Sequence, residues 1–393
     1  MSIDTVRIGD ICEILNGFAF KSENYVESGI RVIRIANVQK GYIEDSTPVF
    51  YPEDSTGLDK YMLESGDLLM SLTGNVGRVA ILAEEFLPAA LNQRVACLRM
   101  KSDRVSKGYL YHILNSDYFE QKCIQSSKGV AQKNMSTEWL KDYEIPVYTE
   151  EKQAEIVSIF DHLQGIIANR RQELQSLDDI IKARFVEMFE DPVHNTAKLP
   201  VLPMTEVCEI IDGDRGKNYP KQEDFFDEEY CLFLNAKNVT NHGFDFSECM
   251  FVTKEKDESL RKGKLKRGDI VLTTRGTLGN LAFYTDAVPY ENVRINSGMV
   301  ILRMNKQIID EEFFIEQFRM QIDDIKKTIA SGSAQPQLPI STMNKILVIM
   351  PDIKEQKLFS SFVAQVDKSK VAVQKALDEV QLLFDSLMQK YFG

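Results

Sequence analysis

The chain has 393 residues, 44% of them hydrophobic and 27% charged. At roughly 150 residues per domain, that length predicts two or three domains, and the composition excludes a disordered chain or a fibrous repeat. The formal net charge of −12 speaks against nucleic acid, because DNA binders usually carry a basic excess.

Six cysteines (Cys12, Cys97, Cys123, Cys208, Cys231 and Cys249) form no C-x-x-C, so neither a zinc site nor a redox motif is expected. Met1–Asp10 carries early charges and no apolar run, which predicts no secretion signal. No stretch of about 18 uncharged apolar residues exists to span a membrane. The expectation is a reduced, soluble, cytoplasmic protein with no membrane contact.

In chain order, the first strand candidates are Arg31–Val38, Asp67–Leu72, Val79–Leu82, Arg94–Arg99 and Glu144–Val147, several β-branched or alternating. Lys107–Ser126 reads as one helix, with Leu110, Leu114 and Tyr118 at steps of four. From Ile156 the apolar positions run Ile156, Phe160, Leu163, Ile167, Leu174, Leu177, Ile181 and Met188, interrupted by Arg170 and Arg184. The steps alternate four and three, a coiled-coil seam. About 38 residues at 1.5 Å each give a helix of roughly 57 Å.

The chain then repeats itself. Ile8–Gly17 (IGDICEILNG) returns as Met204–Gly213 (MTEVCEIIDG), and Glu64–Leu82 returns as Lys266–Tyr284. Asn92–Met100 matches Asn296–Met304, and Gly129–Gln132 matches Gly332–Gln335. Four matches in one order at nearly one offset are a duplication. The second seam is Phe359, Val363, Val366, Val373, Leu377, Val380, Phe384, Leu387 and Tyr391, with Lys370 as its polar interruption. The predicted organisation is a globular part over 1–149, a long helix over 150–190, a second globular part over 198–350 and a second long helix over 351–393. If the helices pair, chain order makes them antiparallel, with the two globular parts at opposite ends of a rod about a pseudo-two-fold axis. The other arrangement packs each helix on its own domain.

Familiar catalytic signatures are missing. His112, His162, His194 and His242 form no H-x-x-x-H, and there is no P-loop or G-x-G-x-x-G after a strand. His112 and His162 fall in helical patterns and read as satisfied structural histidines. Cys12 and Cys208, flanked by apolar residues, read as core. Pro351-Asp352-Ile-Lys-Glu355 faintly resembles a nuclease metal motif, but its spacing is too short to bring both acids round one metal. Acids at a helix start fit the macrodipole.

What remains is a set of polar, glycine-rich loops at matched places. Asn16–Lys21 corresponds to Asp212–Lys217, Thr73–Arg78 to Arg275–Asn280, and Lys128–Asn134 to Ser331–Gln337. Such loops fit ordinary turn chemistry. They also fit contacts to phosphates and base edges. Charge is uneven: residues 201–250 hold 4 basic and 11 acidic residues, and residues 254–306 hold 11 basic and 6 acidic. The basic run Arg261–Arg267 fits a solvated face or a phosphate-facing edge.

On these residues the chain resembles the DNA-specificity subunit of type I restriction-modification systems, over essentially its whole length. The carriers are Gly66-Asp67-Leu-Leu with Gly74-Asn-Val-Gly77, and Gly268-Asp269-Ile-Val with Gly276-Thr-Leu-Gly279. They also include the two Gly-x-x-Gln strings, the Ile145-Pro146 and Met350-Pro351 exits, and the helix-opening Gln153 and Gln356. Pro336 and Pro339 replace Lys133 and Ser136 in the second copy, so contacts do not transfer one to one between the two loops.

The resemblance implies an α+β fold of two mixed-β target-recognition domains joined by a long antiparallel two-helix coiled coil. It implies a non-catalytic subunit for double-stranded DNA in which each domain reads one half of a bipartite, asymmetric site. Two methyltransferase subunits would dock on the helices and bring S-adenosylmethionine. Motor and endonuclease subunits would bring ATP and magnesium, and this chain would hold no cofactor or metal. The DNA-contacting residues expected in the first domain are Lys21, Arg31, Arg34, Asn37, Thr73, Asn75, Arg78, Lys128, Gln132 and Lys133. In the second they are Arg215, Lys217, Asn235, Lys237, Asn238, Arg275, Thr277, Asn280, Ser331 and Gln335. On this view net charge governs solubility and non-specific attraction, and leaves a local DNA site possible. The alternative is a non-DNA scaffold that holds protein partners on two adaptor domains.

Overall fold

Strands of β-branched and apolar residues build the same set of sheets twice. The computed structural model describes residues 4–127, 134–330 and 337–393. The chain divides into two compact units, Met1–Arg171 with Gln374–Gly393, and Gln172–Val373.

In the first unit, an antiparallel four-stranded sheet has the order Cys12–Asn16, Val95–Met100, Leu68–Ser71, Val79–Ile81. A three-stranded sheet sets Ile30–Ile33 between Phe50–Tyr51 and Ala89–Leu91, parallel to the last. Asp4–Arg7 pairs with Glu144–Val147 and ties the start of the unit to the exit strand. One apolar core holds Leu68, Leu98, Tyr109 and Phe119 together with Ile156 and Phe160 of the Glu150–Phe189 helix and Phe392 of the Ile353–Phe392 helix.

The second unit repeats this plan. Its four-stranded sheet runs Cys208–Asp212, Met299–Met304, Asp269–Thr273, Leu281–Phe283. Its three-stranded sheet sets Cys231–Leu234 between Phe251–Val252 and Val293–Ile295, and Val201–Pro203 pairs with Leu347–Ile349. The fold is mixed α/β, with two sheet-containing units and a long C-terminal helix.

Three expectations change in detail. The strand expected over Arg31–Val38 stops at Ile33, because Asn37 accepts a hydrogen bond from the Arg34 amide (2.9 Å) and donates to the Glu44 carbonyl (2.8 Å), which turns the chain. The helix expected over Lys107–Ser126 is two, Lys107–Leu114 and Asp117–Ser126. Ser116 breaks it by capping the second, accepting from the Phe119 amide at 3.1 Å. Its counterpart Glu311–Ala330 lacks that serine and is continuous. Finally, His112 is buried and bonds Asp161 at 2.9 Å, but His162 is exposed beside a groove of about 750 Å³.

The long helices are docked by their opening glutamines. Gln153 accepts from the Ser106 amide and donates to the Arg104 and Tyr148 carbonyls. Gln356 accepts from the Asp310 amide and donates to the Ile308 and Pro351 carbonyls. Both are buried. Asp352, the first acid of the nuclease-like string, accepts from the Lys354 amide at 2.8 Å as a helix-start cap. At the far end of the first helix the buried residues are Phe185 and Phe189, one position past Arg184 and Met188. A 3.6-residue helix drifts against a 3.5-residue seam, which carries the apolar face round by about that much. Arg184 lies over the Phe362 ring at 5.8 Å and bonds Glu187. Lys370 pairs with Asp178 at 2.6 Å.

Candidate nucleic-acid interface

The repeated Gly-Asp strings are structural keystones. Asp67 takes two hydrogen bonds from Arg99 (2.9 and 2.8 Å) and one from the Glu64 amide. Asp269 takes the same from Arg303 (2.9 and 2.8 Å) and the Lys266 amide. Each buried carboxylate thus closes the turn before its strand and clamps the neighbouring strand through a two-point bond. Donating to Asp67 makes the Arg99 guanidinium still harder to deprotonate.

A hairpin turn follows each keystone strand. The Ser71 hydroxyl donates to the Asn75 carbonyl and accepts from the Arg78 amide at 3.1 Å. Thr273 does the same with Thr277 and Asn280. The tip glycines Gly74 and Gly276 have φ of +73° and +71°, and a would-be Cβ meets nothing at Gly74 and only Ala236 Cβ at 3.9 Å at Gly276, so they serve the turn rather than packing. Beside each tip, the Met135 amide bonds the Leu72 carbonyl and the Leu338 amide bonds the Thr274 carbonyl, both in chain following the third loop. Lys128, Gln132, Lys133, Ser331 and Gln335, which belong to that loop, lie outside the described residues.

The first loop approaches from the sheet edge. A Cβ on Gly17 would meet the Asn92 carbonyl group at 2.3 Å, and one on Gly213 the Asn296 oxygen at 2.2 Å. Here the glycine is demanded by backbone packing. The first loop, the hairpin turn and the described residues just after the third loop therefore meet at one end of each four-stranded sheet.

Several candidate residues are committed to their own unit. Arg31 pairs with Asp45, donates to the Phe86 carbonyl and lies over Phe50. Arg34 donates to the Thr47 carbonyl. Asn37 and Asn238 are buried and hold matching turns, Asn238 bonding the Asn235 amide and the Asp245 and Glu248 carbonyls. Asn235 accepts from the Lys237 amide. Arg78 bonds Gln39, and Asn280 donates to the Val239 carbonyl, so one hairpin position fastens the neighbouring loop in both units. Thr73 is buried and bridges Asn134.

Others face solvent. Lys21, Asn75, Arg215, Lys217, Lys237, Arg275 and Thr277 are exposed. Lys237 pairs with Glu248 at 2.6 Å, and Lys21 with Glu23 at 3.8 Å. The basic run divides in the same way. Lys264 is tied to Asp257, and Arg267 lies 4.2 Å from the Tyr284 ring centre, while Lys262 and Lys266 are exposed. Burial would raise the Asp257 carboxyl, but the bonds from Lys264 and Arg294 win and hold it below the usual carboxylate range.

In the second unit a cup of about 220 Å³ lies among these segments, lined by Asp212, Arg215, Thr274, Arg275 and Gln337 among others. Sequence reasoning passed over Asp212 and Gln337. Asp212 stands where the first copy has Asn16, and that one change within a repeated string was its signal. No group of three or more metal-ligating side chains occurs among the described residues, and none of the described helices is long and apolar enough to cross a membrane.

Comparison with known proteins extends over the whole chain. The family model for the type I restriction modification DNA specificity domain matches twice, at residues 2–178 and 201–381. The MjaVIII specificity subunit of Methanocaldococcus jannaschii is 29% identical over 182 residues, spanning 44% of this chain and 42% of that relative. The EcoBI specificity subunit of Escherichia coli is 22% identical over 98% of this chain and 85% of its own length. The crystal structure of the type I S subunit from M. genitalium superposes with a TM-score of 0.56 at 17% identity, covering 100% of this chain and 96% of that one, a likeness of fold.

Proposed function

Because the chain belongs to the type I restriction-modification DNA specificity family, we propose that it is a non-catalytic sequence-reading subunit for a bipartite, asymmetric DNA site. Each unit reads one half. The observation that carries this is the repeated frame with unmatched loops: Ala19 and Thr73 in one unit stand where the exposed Arg215 and Arg275 stand in the other. Two such surfaces on one chain suit two different half-sites. Exposed polar and cationic side chains suit phosphates and base edges.

The two long helices pair antiparallel and set the spacer. Two contacts support that direction. Phe160, early in the first helix, stacks on Phe392 at the end of the second (5.5 Å). Phe185, late in the first, meets Phe359 near the start of the second (5.3 Å). The helices and adjoining faces dock two methyltransferase subunits, which bring S-adenosylmethionine. Motor and endonuclease subunits join through that assembly with ATP and magnesium.

The test is co-expression with a family methyltransferase subunit, followed by sequencing host DNA for methylated adenines. A split motif with unlike halves is expected. Absence of methylation, with no retention of DNA by the assembled complex, would instead favour a protein scaffold.

A further inference from the structure

The cup in the second unit has no equivalent pair of arginines in the first. Asn16, Ala19 and Thr73 occupy the places of Asp212, Arg215 and Arg275. Within the cup, Arg215 Nη2 donates to Asp212 Oδ1 at 3.2 Å and to the Ser297 carbonyl at 3.3 Å. Its Nε and Nη1 have no hydrogen-bond partner among the described residues, and the side chain is 51% exposed. A guanidinium held on one side has already lost much of its rotamer freedom, so its remaining donors suit a ligand of fixed geometry. Asp212 places an acceptor beside those donors. Buried Val300 and Leu338 make an apolar wall of the cup.

Donors in series followed by an acceptor complement one base pair. In the major groove guanine offers O6 and N7 as acceptors, and its cytosine partner offers the N4 amine as donor. An A·T pair offers adenine N7 and N6 with thymine O4, a different order. We propose that the Arg215–Asp212 pair reads a G·C base pair in the half-site of the second unit, Arg215 donating to guanine and Asp212 accepting from cytosine. Arg275, exposed on the same cup and with no ion pair among the described residues, holds an adjacent phosphate. The proposal rests on the DNA-reading function above and names the base that one of its surfaces selects.

The experiment determines the methylated motif of the full chain assembled with its methyltransferase subunits, for wild type, Arg215→Ala, Arg215→Lys and Arg275→Ala. Thermal denaturation of each variant accompanies it. Wild type gives a split motif with a fixed G·C in one half. Arg215→Ala loses roughly tenfold or more of its preference at that one position, and the other half stays as specific as before. Arg215→Lys, which keeps the charge and fills similar space, shows a smaller loss at the same position. Arg275→Ala keeps the motif and binds less tightly to every site, with a shallower salt dependence. An unchanged motif in both Arg215 variants overturns the assignment while leaving the DNA-reading function standing. So does relaxation at an A·T position or in both halves. Absence of any split motif from the wild-type complex would overturn the function itself and the assignment with it.

Discussion

The two units share their frame and differ in their rims. Asp67–Arg99 and Asp269–Arg303 make the same two-point bond, Ser71 and Thr273 close the same turn, and Gln153 and Gln356 make matching triplets of hydrogen bonds. At the rim, aromatic residues of the first unit (Phe18 5.1 Å from Phe20, itself 4.9 Å from Tyr51) stand where the second unit has Asp214-Arg-Gly216. Within this chain, then, a polar residue that recurs in both copies is usually bonded inside its own unit. Arg215, Lys237 and Arg275 change between copies and are exposed. Repetition marks most of the scaffold, and the exposed residues that diverge mark the reading surface.

Breaking a shared element tests the first half of that comparison most severely. Arg303→Ala leaves the buried Asp269 carboxylate without its cation and is expected to cost about 3–5 kcal/mol. Arg99→Ala should do the same to the first unit, and chemical denaturation would show either. A cost under about 1 kcal/mol would remove the pair from the frame. Gly213→Ala forces a Cβ against the Asn296 backbone and should cost about 1–3 kcal/mol, read as a lowered melting temperature. Gln356→Ala strands one buried amide and two carbonyls. A loss of about 1–3 kcal/mol is expected, with Gln153→Ala matching it.

The helix joints sharpen the comparison through pH. In the first unit burial pushes the His112 imidazole below its ordinary 6.5, against the opposing pull of the Asp161 carboxylate it is bonded to. Stability from that joint is complete above about pH 6.5 and is lost as pH falls through the lowered value. In the second unit burial, with Asp367 and Glu316 nearby, pushes the Glu312 carboxyl up to about 7. Its contribution is complete below the ordinary 4.5 and is lost as pH rises through about 7. Acid should therefore loosen the first joint and base the second. Hydrogen exchange of the two long helices between pH 5 and 8 would register opposite trends, and Glu312→Gln should flatten the second. The smallest effect belongs to the exposed rim. Lys217→Ala should change stability by no more than about 0.5 kcal/mol and weaken DNA binding evenly across sequences, as a salt titration would show.

Much of the frame is legible in the amino-acid sequence because duplication exposes it. Strings such as Cys-Glu-Ile-x-x-Gly and Gly-Asp stand out only when met twice. The roles within those strings are less legible, because the partners are distant. Arg99 finds Asp67 across a strand pair, Arg78 finds Gln39, and Gln153 finds the Arg104 carbonyl. Residue type alone draws Arg31 and Asn37 into a DNA-facing set, although both make bonds inside their own sheet and turn. Asp212 is the opposite case: an acid looks wrong for DNA until its bond to Arg215 is seen.

The most direct test exchanges one rim and keeps the frame. A chain carrying Asp214-Arg-Gly-Lys217 in place of Phe18-Ala-Phe-Lys21, with its melting temperature checked, is assembled with methyltransferase subunits and its methylated motif is sequenced. The prediction is a changed first half, an unchanged second half and the same spacer. A motif that changes in both halves, or in neither while the protein stays folded, would contradict independent reading by two rims on a common frame.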